Sequence, residues 1–134
     1  MYIIKVKCPH NDCGANLLDE GHKVNGAPGV KLIALNGSLE GTIFLSSAYD
    51  DFTTEFPPEL EVEFGDILVL RCPDCGKPLP KVGACPDCGA PLAKLLLDSG
   101  SELVICTRKG CKHHGLEFSS TNELKAFIET IKEK

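Results

Sequence analysis

Eight cysteines in four close pairs, apolar residues recurring at every second position between them, and one stripe of helical period near the end predict a small β-rich, metal-bound protein. In that fold class two cysteine-ligated ribbons hold the metal, a small β-domain is inserted within the first, and an α-helix closes the chain. Hydrophobic residues at 43% and charged residues at 25% suit a soluble globular chain of 134 residues. No apolar run approaches the roughly 20 residues a membrane helix needs, so no membrane association is expected. The first residues, Met1-Tyr2-Ile3-Ile4-Lys5-Val6-Lys7, form no cleavable apolar segment. A cytoplasmic location with reduced thiols is therefore expected, and reduced thiols at this density point to metal rather than disulfides.

The elements follow in order. Residues 2–7 lead as a strand into the first cysteine pair. Residues 30–35 and 42–46 form a hairpin across Asn36-Gly37, a turn signal. Residues 59–64 alternate strictly, with Leu60, Val62 and Phe64 on one face, and Pro57-Pro58 excludes regular structure just before them. Gly65-Asp66 breaks that strand, and residues 67–71 run as another into the second pair. Residues 93–97 and 102–105 flank the turn Asp98-Ser99-Gly100, and residues 116–118 add a short third strand. Ser120 and Glu123 make a capping box, after which Leu124, Phe127, Ile128 and Ile131 fall on one helical face. Lys125, Glu129 and Lys132 lie opposite, so the helix is expected to pack on the chain's own ribbon.

The cysteine pairs are Cys8/Cys13, Cys72/Cys75, Cys85/Cys88 and Cys106/Cys111. Zinc takes four soft ligands tetrahedrally, at about 2.3 Å to sulfur. Two cysteines two to four residues apart reach one ion when the chain makes a tight knuckle. Proline fixes one backbone angle of that knuckle, and glycine after the second cysteine permits positive φ. Cys72-Pro73-Asp74-Cys75-Gly76 and Cys85-Pro86-Asp87-Cys88-Gly89 meet the requirement, and Cys8-Pro9-His10-Asn11-Asp12-Cys13-Gly14 meets it with a longer knuckle. Two zinc ions per chain are expected, with iron the rival metal. The spacing favours one site from Cys8, Cys13, Cys72 and Cys75, in a domain over residues 1–80 split by an insertion over about 14–71. A second site takes Cys85, Cys88, Cys106 and Cys111, in a zinc ribbon over residues 81–134. A nested alternative joins Cys72/Cys75 to Cys85/Cys88 inside a site made by the outer pairs.

Residues 85–115 resemble a zinc ribbon. Cys85-Pro86-Asp87-Cys88-Gly89-Ala90-Pro91-Leu92, then Glu102-Leu103-Val104-Ile105-Cys106 and Cys111, look like the C-terminal zinc ribbons of type IA topoisomerases. That resemblance covers under a quarter of the chain and implies four metal ligands and contact with single-stranded DNA. The departure is that no aromatic residue lies between these knuckles to stack on a base. Glu61-Val62-Glu63-Phe64 and the apolar strand leading into Cys72-Pro73-Asp74-Cys75-Gly76 are similar in outline to small zinc-binding subunits of acetone-carboxylase-type enzymes, which implies an accessory subunit of a larger enzyme complex. Cys-Pro-x-Cys-Gly also resembles the knuckle of rubredoxin, whose iron carries one electron.

No enzyme activity is expected. A catalytic zinc keeps an open position, typically among His or carboxylate ligands, whereas eight cysteines fill two tetrahedra. His10, His113 and His114 are then structural or exposed, His22 gives no signal, and Asp50-Asp51 is a solvated pair. The net charge is −5, divided as −7 over residues 1–66 and +2 over residues 67–134. From Asp50 to Asp66 there are seven carboxylates and no basic residue. Such a segment repels nucleic acid and attracts a basic protein surface. The expected function is a non-catalytic zinc-binding adapter or accessory subunit with a protein partner. A nucleic-acid-associated ribbon using Arg108, Lys109 and Lys112 is the alternative, and a rubredoxin-like electron carrier is third.

Overall fold

The computed structural model describes residues 3–49, 51–111, 117–118 and 125. Its elements are β1 (Val6–Lys7), β2 (Leu18–Val24), β3 (Ala27–Asn36), β4 (Leu39–Ser46), β5 (Thr54–Glu55), β6 (Val69–Arg71), β7 (Lys81–Ala84), β8 (Pro91–Leu97), β9 (Glu102–Cys106) and β10 (Glu117–Phe118). They form two sheets, one ordered β2-β3-β4-β5 with β6 also on β3, the other β1-β8-β9-β10 with β7 also on β8.

The first sheet is built on the β3–β4 hairpin, whose register runs from Gly29↔Ser46 to Asn36↔Leu39. Gly37 opens the two-residue turn at φ +62°, a conformation glycine adopts without steric cost. Val30, Leu32 and Ala34 of β3 and Ile43 and Leu45 of β4 alternate inward and are fully buried. The second sheet is built on the β8–β9 hairpin, paired from Leu92↔Cys106 to Leu96↔Glu102. Its inward residues are Ala93, Leu95, Leu97, Leu103 and Ile105, and they join the first sheet's face in one continuous core with Ile4, Val6, Leu60, Leu68 and Leu70. Glycine at position 41 brings a distant segment onto the first sheet, since a Cβ there would lie 2.9 Å from both Pro57 and Leu60.

The expected fold class needs correction. Among the described residues every named element is a strand. The inward face of the β8–β9 hairpin packs in one core with the first sheet. The stretch with Leu124, Phe127, Ile128 and Ile131 lies outside the described residues. Residues 59–64 alternate as a strand would, yet they form turns. Leu60 N–H donates to Pro57 O at 3.1 Å and Asp66 N–H to Glu63 O at 3.0 Å, so the segment curls instead of joining a ladder. Three strands escape the sequence patterns, the two-residue β5 among them. β2 carries Asp19-Glu20-Gly21-His22-Lys23 and a register shift between Asp19 and Lys23, and β7 is exposed throughout. Edge strands need no apolar alternation. No helix among the described residues is long and apolar enough to cross a membrane.

Candidate metal centres

The topology delivers the eight cysteines as two sets of four: Cys8, Cys13, Cys72 and Cys75, and Cys85, Cys88, Cys106 and Cys111. Within each set the sulfur atoms lie within 4.8 Å of one another. The nested arrangement is not what forms. β6 runs into Cys72 and β1 ends just before Cys8, and Leu17 N–H bonds to Val6 O at 2.9 Å, which returns the first knuckle beside its own strand.

Across each centre the sulfurs face one another in pairs. Cys8–Cys75 and Cys13–Cys72 are 3.9 Å apart, Cys85–Cys111 is 3.7 Å and Cys88–Cys106 is 3.4 Å. A disulfide needs about 2.05 Å. Four sulfurs about 2.3 Å from one tetrahedral ion stand about 3.8 Å from each other, so these separations fit a metal tetrad. All four donors in each set are thiols, a soft set suited to zinc or iron and not to magnesium or calcium.

The knuckles repeat one backbone plan. Cys72 N–H donates to Lys77 O at 3.1 Å and Cys85 N–H to Ala90 O at 2.7 Å, while Gly76 and Gly89 N–H return to Cys72 O and Cys85 O at 2.9 Å. Gly14, Gly76 and Gly89 all sit at positive φ after the second cysteine. The Cys106–Cys111 knuckle differs, since its glycine, Gly110 at φ +91°, precedes the second cysteine.

Burial alternates identically in the two centres. The first cysteine of every knuckle is buried and the second is half-exposed. Burial pushes the Cys8, Cys72 and Cys106 thiols up. The backbone N–H of Lys77 lowers the Cys75 thiol, and that of Ala90 pulls Cys88 down to about 6. Cys75 and Cys88 thus ionise more readily than a free thiol, whereas Cys8, Cys72 and Cys106 lose their protons only against a bound cation.

Several neighbouring residues carry roles that the cysteine spacing alone does not reveal. In the first centre Lys77 Nζ donates to Asp12 Oδ2 at 2.5 Å, and His10 Nε2 bonds to Pro78 O at 2.9 Å. Both contacts tie one knuckle to the other. The sequence signal was available: opposite charges flank the Cys8/Cys13 and Cys72/Cys75 knuckles. Near the second centre, Lys109 Nζ donates to Val62 O at 2.9 Å and lies 4.8 Å from the centre of the Phe56 ring. Arg108 reaches Gly65 O at 3.4 Å and Cys88 O at 3.5 Å. His22 stacks on Phe44 with ring centroids 3.7 Å apart and bonds to Glu55, and belongs to neither tetrad. Lys112, His113 and His114 lie outside the described residues. Comparison of the chain with protein-family models, curated proteins and solved structures finds no match.

Proposed function

We propose that the protein is a non-catalytic binding module: a cytoplasmic adapter or accessory subunit with two structural zinc ions, which docks a basic surface of another protein through its acidic segment. The observation that carries this proposal is the completeness of the two tetrads. Four thiols already satisfy a tetrahedral zinc, leaving no position for a water or substrate to be activated. Metal in such sites stabilises a fold that a small chain otherwise holds weakly.

The outline similarity to small zinc-binding subunits of acetone-carboxylase-type enzymes supports a larger enzyme complex as the setting. Glu59, Glu61 and Glu63 are exposed on the segment that Gly41 seats against the first sheet. The Arg108 and Lys109 side chains, on which a nucleic-acid role would draw, are engaged with backbone carbonyls of their own chain.

Metal analysis of the native protein and reciprocal co-purification from cells test this function together. Two zinc ions per chain are expected, with a protein complex that Glu→Lys reversal at positions 59, 61 and 63 assembles more slowly. The effect should shrink as salt rises. Sub-micromolar, salt-sensitive binding to single-stranded oligonucleotides that requires Arg108 and Lys109 would overturn it.

A further inference from the structure

The four residues between Cys106 and Cys111, Thr107-Arg108-Lys109-Gly110, do more than span a knuckle. Residues 62–68 are laced to them. Gly65 N–H donates to Lys109 O, Lys109 N–H to Asp66 O and Leu68 N–H to Thr107 O, each at 2.9 Å, and Ile67 bridges to Arg108. The Lys109 and Arg108 side chains add their bonds to Val62 O and Gly65 O. At the tip, Phe64 is 83% exposed, the most exposed large apolar side chain among the described residues. Its ring nevertheless rests over Gly110, where a Cβ would come within 2.6 Å of three ring atoms.

The same segment has a second seat that owes nothing to the knuckle. Asn36, at the end of β3, donates through Nδ2 to Glu61 O at 2.8 Å and to Asp66 Oδ2 at 2.9 Å. Glu63 N–H also donates to Asp66 Oδ2, at 2.8 Å. One side of the segment thus belongs to the first sheet and the other to the second centre. This knuckle has a four-residue spacer without proline, so its shape depends on having both ends held.

We propose that the second four-cysteine centre is a metal-dependent clasp on residues 62–68, setting the position of the exposed Phe64 tip through the 107–110 knuckle. This rests on that centre holding a metal and on nothing about a partner. Metal at Cys85, Cys88, Cys106 and Cys111 fixes both ends of the knuckle, and the knuckle carbonyls and amides fix the segment. By linkage the converse holds: loosening the segment weakens the hold on that metal.

The test uses the full chain. In Cys88→Ser the metal count should fall to one, and amide exchange at Gly65, Leu68 and Lys109 should quicken about ten-fold or more while the β3–β4 ladder keeps its protection. Lys109→Ala, which keeps all eight cysteines, covers the case in which Cys88→Ser fails to fold. There, zinc extraction by a chromophoric chelator should accelerate about three-fold or more for the second centre's ion alone. Phe64→Trp supplies a reporter in a chain without tryptophan, and its emission should change as that ion leaves. Unchanged protection of the three amides after one metal is lost would overturn the clasp, as would Lys109→Ala releasing both ions at the wild-type rate. A native chain with one ion per molecule, held by the first centre, would instead show that the second centre's metal assignment fails.

Discussion

The two four-cysteine centres offer the same four-thiol chemistry at opposite scales of the chain. The first joins knuckles with 58 residues between Cys13 and Cys72, whereas the second joins knuckles with 17 residues between Cys88 and Cys106. Loop-closure entropy alone makes the longer closure costlier by only about 1 kcal/mol. The larger difference lies in what each closure surrounds. Cys8 and Cys72 belong to the main core, beside Leu17, Leu70 and Leu79, with Cys13 and Cys75 packed against it. Cys85 and Cys106 form a separate small cluster with Ala90, flanked by Cys88, Leu92 and Cys111. Asp12, Lys77 and His10 also brace the first centre across its knuckles. A metal stabilises whatever its ligands enclose, so an ion in the first tetrad would govern the fold and one in the second its own surroundings and the segment of the proposed clasp.

Removing both metals should have the largest effect. Structural zinc in small domains contributes about 10–16 kcal/mol per site at neutral pH, far above the net stability of a chain this size. Chelation should therefore abolish protection throughout the β3–β4 ladder, as read by amide exchange. A metal-free chain that keeps that ladder would show that the apolar core suffices, and the contrast between the centres would lose its basis.

Single-ligand variants sharpen the contrast. Cys72→Ser should lower the melting temperature more than Cys85→Ser, because it opens the tetrad within the main core. Cys85→Ser should keep one ion, held by Cys8, Cys13, Cys72 and Cys75. Equal losses would mean that the second centre is as central to the fold as the first. A core substitution probes that link directly. Leu95 is fully buried on the second sheet yet packs in the core shared with Leu32, so Leu95→Ala should cost about 2–5 kcal/mol and weaken both sheets in one denaturant transition. Two separated transitions would show that each sheet has its own core.

The centres were legible in the sequence because a metal site is local chemistry: each knuckle carries its cysteines, its turn and usually its glycine within seven residues. The two hairpins were legible for a similar reason, since Asn36-Gly37 and Asp98-Ser99-Gly100 mark reversals between apolar runs. Residues 59–64 misled because period-two alternation reports which side chains prefer burial, not whether a strand partner exists. Leu60 is buried as the pattern demands, yet Phe64 on the same face is exposed, since it sits within the turn closed from Asp66 N–H to Glu63 O. β2 was invisible because its ladder to β3 is held by backbone bonds under polar side chains. The roles of Arg108 and Lys109 required tertiary structure. A basic pair in a sequence resembles a phosphate-binding patch until its carbonyl partners, more than 40 residues away, are known.

The smallest effect concerns the brace at the first centre. Lys77 holds the Asp12 carboxyl below its ordinary range, and Asp12 raises the Lys77 ammonium above its own. The signs set the window. The contribution of Asp12 is fully present above its unfolded value and is lost as pH falls through the depressed folded value. The contribution of Lys77 is fully present below its unfolded value and is lost as pH rises through the raised folded one. The brace therefore operates throughout the neutral range. Acid is the wrong probe for it, because protons also compete for the thiolates. Salt is the clean probe, since both partners are at least half-exposed. Lys77→Ala and Asp12→Asn should each hasten chelator extraction of the first ion modestly at low salt, and the difference from wild type should vanish near 1 M salt. The second ion should leave both variants at the wild-type rate, because the brace joins the two knuckles of the first tetrad. An equal acceleration of both ions would mean that the pair steadies the fold as a whole, not the knuckles it joins.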